Sequence, residues 1–210
     1  MLDDLEHDVT RRRVIRDMLI APVVLGVPSF LASCGTTANA ETTLSPTPPC
    51  DDGDDDDPTI SQTEGPYFTP NSPERRSLLE SGVVGTPLIV NGRVLTRSCR
   101  PVASALLDFW QADGDGEYDN VGYRLRGHQF TGADGAFRLE TVVPGLYPGR
   151  TRHIHVKVQA PSQRILTTQL YFPGESRNAS DGIFDPSLLM ELAGTASARE
   201  ARFNFVLDLA

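Results

Sequence analysis

The sequence predicts an all-β fold, an antiparallel β-sandwich with few short helices, and three observations predict it. Short segments rich in β-branched and aromatic residues recur from residue 59 onward. Gly, Pro, Asn and Asp separate them, and helix signals are scarce. Many short strands of this kind bury their apolar faces by packing two sheets together. In chain order the candidate strands are 87–97 (PLIVNGRVLTR), 103–111 (ASALLDFWQ), 136–143 (AFRLETVV), 152–160 (RHIHVKVQA), 164–172 (RILTTQLYF) and 201–208 (ARFNFVLD). The second is strongly apolar, which places Trp110 in the core. The Asp-Gly of "TGADGAF" marks a tight hairpin turn into the third. One short helix is expected over 186–193 (PSLLMELA), with Pro186 in its first turn.

The 210 residues divide into three parts by composition. Residues 1–34 read as a targeting segment. Thr10-Arg11-Arg12-Arg13-Val14-Ile15-Arg16 resembles a twin-arginine export signal, and an apolar run from Met18 to Leu31 follows it. That run is short and broken by Pro22, Gly26 and Pro28, a poor spanning helix. Leu31-Ala32-Ser33-Cys34 resembles a bacterial lipoprotein box, in which Cys34 would carry the lipid. Cleavage after Ala38-Asn39-Ala40, giving a soluble secreted protein, and an uncleaved anchor are the alternatives. Each places the domain outside the cytoplasmic membrane, with membrane contact only through signal or lipid. Residues 35–58, rich in Thr, Pro, Ser and Asp, read as a disordered linker. Residues 59–210 are the folded domain.

The net charge of −9 is unevenly placed, with six aspartates in residues 51–57. Residues 58–210 carry 15 basic and 16 acidic side chains and no basic stripe, so nucleic acid is not an expected partner. With Cys34 lipidated, Cys50 and Cys99 remain as an even pair in an oxidising compartment, and a disulfide between them is expected. It would close a loop of about 50 residues, worth roughly 4 kcal/mol in the chain-entropy model.

The chemistry centres on "YPGRTRHIH", residues 147–155. Side chains alternate along a strand, so His153, His155 and Lys157 share one face, while Ile154, Val156 and Val158 share the other. Two imidazoles at that spacing can converge on one ion, but a His-x-His pair also occurs as ordinary polar strand. No nearby Asp or Glu has an obvious ligand spacing. Tyr147, six residues upstream of His153, and Tyr118, at the end of the Gly-rich "ADGDGEY", stand out instead. Phenolate is a hard anionic donor suited to Fe(III). "DGDGEYDN" superficially suggests a calcium loop, but Tyr118 occupies the position where that loop requires glycine. His128 lies outside the ligand pattern and reads as structural or rim.

"TEGPYF" (63–68), "LDFWQADGDGEY" (107–118), "GHQFTGADGAFRLETVVPGLYPGRTRHIHVKV" (127–158) and "LTTQLYFPG" (166–174) resemble the intradiol ring-cleavage dioxygenases. The resemblance runs from about residue 59 to 175, and more loosely to the end. It implies the intradiol core, a sandwich of transthyretin or immunoglobulin type. It implies Fe(III) held by Tyr118, Tyr147, His153 and His155, catalytic roles for Arg150, Gln169 and Tyr147, and a substrate pocket lined by Tyr67 and Arg150. The implied reaction takes a small aromatic diol and O2, cleaving the ring between its hydroxyl carbons to a muconate-type diacid. Many cytoplasmic relatives that act on simple catechols carry a long helical N-terminal region for dimerisation. Signal and linker stand there instead, as in the extracellular branch, so no oligomeric state carries over.

Two other readings remain at this stage. "TGADGAFRLETVVPGLYP" also resembles non-catalytic transthyretin-like or carboxypeptidase-regulatory β-modules, which have no reason to carry His-x-His. A different His-x-His metalloenzyme, such as a zinc hydrolase, would favour carboxylate or extra histidine ligands over tyrosines.

Overall fold

The computed structural model describes residues 57–195 and 199–209. The expected signal, lipidation at Cys34, Cys50 and nearly all of the linker lie outside the described residues. Cys99 is disulfide-bonded. Among the described residues no helix is long and apolar enough to cross a membrane.

Among the described residues nine strands form two sheets. They are β1 (Pro87–Thr96), β2 (Leu106–Trp110), β3 (Arg126–Phe130), β4 (Ala136–Val142), β5 (His153–Gln159), β6 (Leu166–Tyr171), β7 (Glu191–Gly194), β8 (Arg199–Arg202) and β9 (Phe205–Leu207). One sheet runs β4-β1-β8-β7 with β9 also on β1, and the other runs β3-β2-β5-β6. The sandwich is the expected one, with a qualification on direction: β1 pairs parallel with β8 and with β9. The expected strand 201–208 breaks at Phe203-Asn204 because β8 and β9 dock in succession along the ten residues of β1. Phe203 N–H donates to Asn91 C=O at the break. A Cβ on Gly92 would stand 1.7 Å from the Phe203 carbonyl oxygen, so only glycine admits this crossing.

The expected helix at 186–193 is replaced by a 3₁₀ turn, Pro186–Leu188, followed by β7. Asp185 caps the turn by accepting from Ser187 N–H at 2.9 Å. The run that looks helical instead buries Leu188 and Met190. Met190 N–H donates to Tyr171 C=O. Strand β3, whose sequence RGHQF has one apolar residue besides glycine, was not expected from the pattern.

Alternation assigns the faces of the β3-β2-β5-β6 sheet. Leu107, Phe109, Ile154, Val156, Val158 and Leu170 point inward and are buried in one core with Leu88, Val90, Phe137 and Leu139 of the other sheet. Each such side chain contributes about 1.5–3 kcal/mol. The opposite face is polar and ordered in rows by register. Arg126, Trp110, His155 and Gln169 lie directly opposite one another across the four strands. His128, Asp108, Lys157 and Thr167 form the next row. Trp110 is buried as expected, but on this polar face and outside the apolar core.

The N-terminal segment 59–78 crosses this face as a belt. It starts on the β6 edge, where Gln62 N–H donates to Thr167 C=O. It ends on the β3 edge, where His128 N–H donates to Pro73 C=O and Arg75 N–H returns to His128 C=O. Both outer strands of the sheet are thereby covered, which removes exposed edges and roofs the polar face.

Candidate metal centre

The two histidines of β5 converge. Their Nε2 atoms are 3.1 Å apart, and both rings are buried. The Tyr118 hydroxyl lies 3.4 Å from His153 Nε2. The Tyr147 ring stands edge-on to Tyr118, with centroids 5.9 Å apart. Its hydroxyl is 2.6 Å from that of Tyr67. Tyr67 in turn stacks on Tyr118 at 4.6 Å. The four expected ligands and Tyr67 thus form one cluster. Among the described residues no third histidine, cysteine or carboxylate joins the pair to make a metal-holding group.

Glycine makes the tyrosine loops possible. The loop 113–118 folds on Asp113, whose Oδ1 accepts from Asp115 and Glu117 N–H. It packs against the chain at Gly145-Leu146. A Cβ on Gly116 would stand 2.6 Å from Leu146 O, and one on Gly145 would stand 2.3 Å from Gly116 N. Backbone therefore meets backbone between the loops that carry Tyr118 and Tyr147. Next in the chain, Arg150 N–H donates to Tyr147 C=O at 3.1 Å and closes a four-residue turn. Pro148 and Gly149 (φ 78) are its central residues, as a type II turn requires. That single turn sets both Tyr147 and Arg150.

Arg150 is fixed on three sides. Its Nε donates to Asp181 at 2.9 Å, and its Nη2 to Gln169 Oε1 at 2.7 Å and Tyr171 hydroxyl at 3.4 Å. Gln169 is held by its own amide on Thr63 C=O at 3.0 Å. Burial raises the Asp181 carboxyl, but N–H donors from Thr151 and Ile183 and the Arg150 guanidinium outweigh it and hold the group below its ordinary value. Asp181 carried no local signal: it lies 31 residues beyond Arg150. Arg126 also escaped the sequence reading. Its buried guanidinium donates twice to Asp119 C=O, at 3.0 and 2.8 Å, and once to Tyr67 C=O, so it pins the chain beside both stacked tyrosines. His128 is structural, bonded through Nδ1 to Ser72 C=O at 2.7 Å.

The donor set fits a hard ion. Two imidazole nitrogens 3.1 Å apart, each about 2.1 Å from an ion, subtend an angle of roughly 95°, a workable chelate bite. His153 Nδ1 lies 2.6 Å from Thr151 C=O, and donating there leaves its Nε2 lone pair for the ion. Burial raises the Tyr118 hydroxyl well above the ordinary tyrosine range, against the opposing pull of Arg150 and Arg126. A highly charged cation would be needed to hold it as phenolate.

Burial pushes His153 down to about 4 and His155 well below its ordinary value. An unfolded histidine takes its proton near pH 6.5. Between those limits the unfolded chain binds more protons, so stability is full above about pH 6.5 and is lost as pH falls. The metal-free protein is expected to lose up to about 1.4 kcal/mol of stability per pH unit for each histidine between about pH 6.5 and 4, and its melting temperature to fall accordingly. A pH series of thermal melts measures it, and a flat profile would remove the buried neutral histidines from the account.

Residues 63–209 match the family profile described as Dioxygenase. The dioxygenase domain of a dioxygenase carbohydrate-binding protein fusion from Streptomyces sp. SirexAA-E is similar at 62% identity and a TM-score of 0.71, over 73% of this chain and 100% of that one. The structure of 3-chlorocatechol 1,2-dioxygenase from Rhodococcus opacus 1CP is similar at 30% identity and a TM-score of 0.67, over 72% of this chain and 73% of that one. The 6-chlorohydroxyquinol 1,2-dioxygenase of Cupriavidus pinatubonensis is 31% identical over 173 residues, 69% of this chain and 62% of that protein. The chain therefore spans a little under two thirds of that relative's length.

Proposed function

Because this chain belongs to the intradiol ring-cleavage dioxygenase family, we propose that it is an iron(III)-dependent dioxygenase cleaving a catechol-type ring with O2 between the two hydroxyl carbons. The observation that carries the reading is the cluster of Tyr118, Tyr147, His153 and His155 around a 3.1 Å nitrogen bite, with no carboxylate among them. A non-catalytic β-module has no use for it, and a zinc hydrolase site would use other donors.

Tyr118, Tyr147, His153 and His155 would hold the metal. Ferric iron, when bound, supplies a Lewis acid that takes up the catecholate oxygens and draws electron density from the ring. The rest is the work of side chains. Tyr147 would be the group placed to accept a substrate proton, because its hydroxyl shares a 2.6 Å hydrogen bond with Tyr67. Once protonated, the Tyr147 phenol would stay held by its hydrogen bond to Tyr67. Arg150 sets a fixed cation beside the site, where negative charge developing on the ring needs it. Its bonds to Asp181 and Gln169 keep it from swinging away. Gln169, anchored on Thr63 C=O, orients the substrate. The belt excludes water from the polar face and contributes Tyr67 as a pocket wall.

Colour and turnover test the proposal. Iron-loaded protein is expected to be red-brown from tyrosinate-to-iron charge transfer, and the band should shift when a catechol is added. Tyr118→Phe and Tyr147→Phe should each alter the band, and a variant with an unchanged spectrum removes that tyrosine from the ligand set. Oxygen uptake over a panel headed by 6-chlorohydroxyquinol and 3-chlorocatechol, the compounds named in the relatives, reads the substrate. A colourless iron-loaded protein would sink the reading.

A further inference from the structure

His153 and His155 are oriented by different means. Metal-binding histidines generally donate their second ring N–H to an acceptor, which fixes the ring. His153 has such a partner in Thr151 C=O at 2.6 Å. His155 has none: its Nδ1 is buried without a hydrogen-bond partner. What it has is Trp110. The indole lies 4.8 Å from the imidazole with the planes 7° apart, a parallel stack. Register explains it, since Trp110 on β2 is directly opposite His155 on β5. The belt backs the stack. Phe68 packs edge-on against Trp110 at 4.9 Å. Gly65 of the belt also faces the ring: a Cβ there would stand 3.4 Å from His155 Cε1, in van der Waals contact.

We propose that Trp110 is the positioning residue for His155, its indole face holding the imidazole in the attitude that a hydrogen bond holds for His153. The inference rests on the metal-centre reading above. The difference between the two histidines lies in the tautomer. In the metal-free protein His155 Nε2–H can donate to His153 Nε2 at 3.1 Å. Binding an ion requires that lone pair and moves the proton. A carbonyl at Nδ1 would commit the ring to one tautomer in advance, whereas an aromatic face holds the plane whichever nitrogen carries the proton. Trp110 does not touch the reacting atoms and acts through His155.

Trp110 is the chain's single tryptophan, so its fluorescence reports this stack alone. Titrating native metal-free protein with ferric nitrilotriacetate is expected to quench it at one equivalent. Iron retention is then measured by chelator competition in two variants. Trp110→Phe keeps a flat face and should stay within about threefold of wild type, whereas Trp110→Leu should weaken retention about tenfold or more. Trp110→Met, with bulk but no flat face, replaces the leucine variant should that one not fold. In the metal-free proteins the ring-current shift of the His155 ring protons should persist with Phe and vanish with Leu or Met. Equal retention by all variants, or equal loss in Phe and Leu, overturns the proposal while leaving the metal centre intact. Wild type that binds no iron overturns both.

Discussion

Replacing His153 by alanine is expected to abolish iron retention and to lower turnover by about three orders of magnitude, equivalent to about 4 kcal/mol of lost transition-state stabilisation. The two Nε2 atoms 3.1 Å apart make one bite, and half of a bite does not chelate. The fold should survive. His153 faces the polar side of β5, whereas Ile154, Val156 and Val158 carry the core contacts. The stability cost is confined to the void and to Thr151 C=O, which loses its donor, together roughly 1–3 kcal/mol. Iron content per chain, oxygen uptake and a thermal melt on one preparation separate these effects. A variant that retains iron and turns over removes His153 from the ligand set. A variant that loses iron only because it unfolds would show in the melt.

The β5 face was legible because alternation is a local rule. His153 and His155 on one side and three branched residues on the other need only the period of a strand, and core membership follows it: Ile154, Val156 and Val158 join the apolar core while the histidines, also buried, do not. The Pro-Gly signal between Tyr147 and Arg150 was equally local, and the turn it announces is present. What the sequence withheld was long-range. Nothing in "TEGPYF" is periodic, yet these residues supply Thr63 C=O to Gln169, 106 residues away, and the Tyr67 hydroxyl to Tyr147, 80 residues away. Trp110 illustrates the same limit more finely. Its apolar surroundings marked it as core, and only the register with β5 turns its indole toward His155. The apolar run at 186–193 suggests a helix because hydrophobicity without a decisive period fits a helix and a buried turn-and-strand alike.

Replacing Arg150 by alanine is expected to lower kcat by about 10²–10³-fold, the usual effect of removing a preorganised charge donor, and to destabilise the protein by roughly 3–5 kcal/mol. Both effects come from one geometry. The guanidinium ties Asp181 to Gln169 and Tyr171, so its removal leaves the buried Asp181 carboxylate with only N–H partners from Thr151 and Ile183. Gln169 loses the shorter of the two contacts to its Oε1 and keeps the Tyr171 hydroxyl at 3.1 Å and the bond to Thr63. Arg150→Lys separates the two roles. A lysine keeps the positive charge but cannot present the fork that meets Asp181 and Gln169 together. Its stability should recover more than its turnover, because Asp181 needs a neighbouring cation whereas catalysis needs that cation in one place. Asp181→Asn approaches the same link from the other side: Arg150 stays charged but is held less firmly, so kcat should fall while iron content and colour remain those of wild type. If instead Asp181→Asn lowered iron content and left the kcat of the remaining iron-loaded fraction unchanged, Asp181 would be supporting the metal loop, and the anchoring of Arg150 would not be its function.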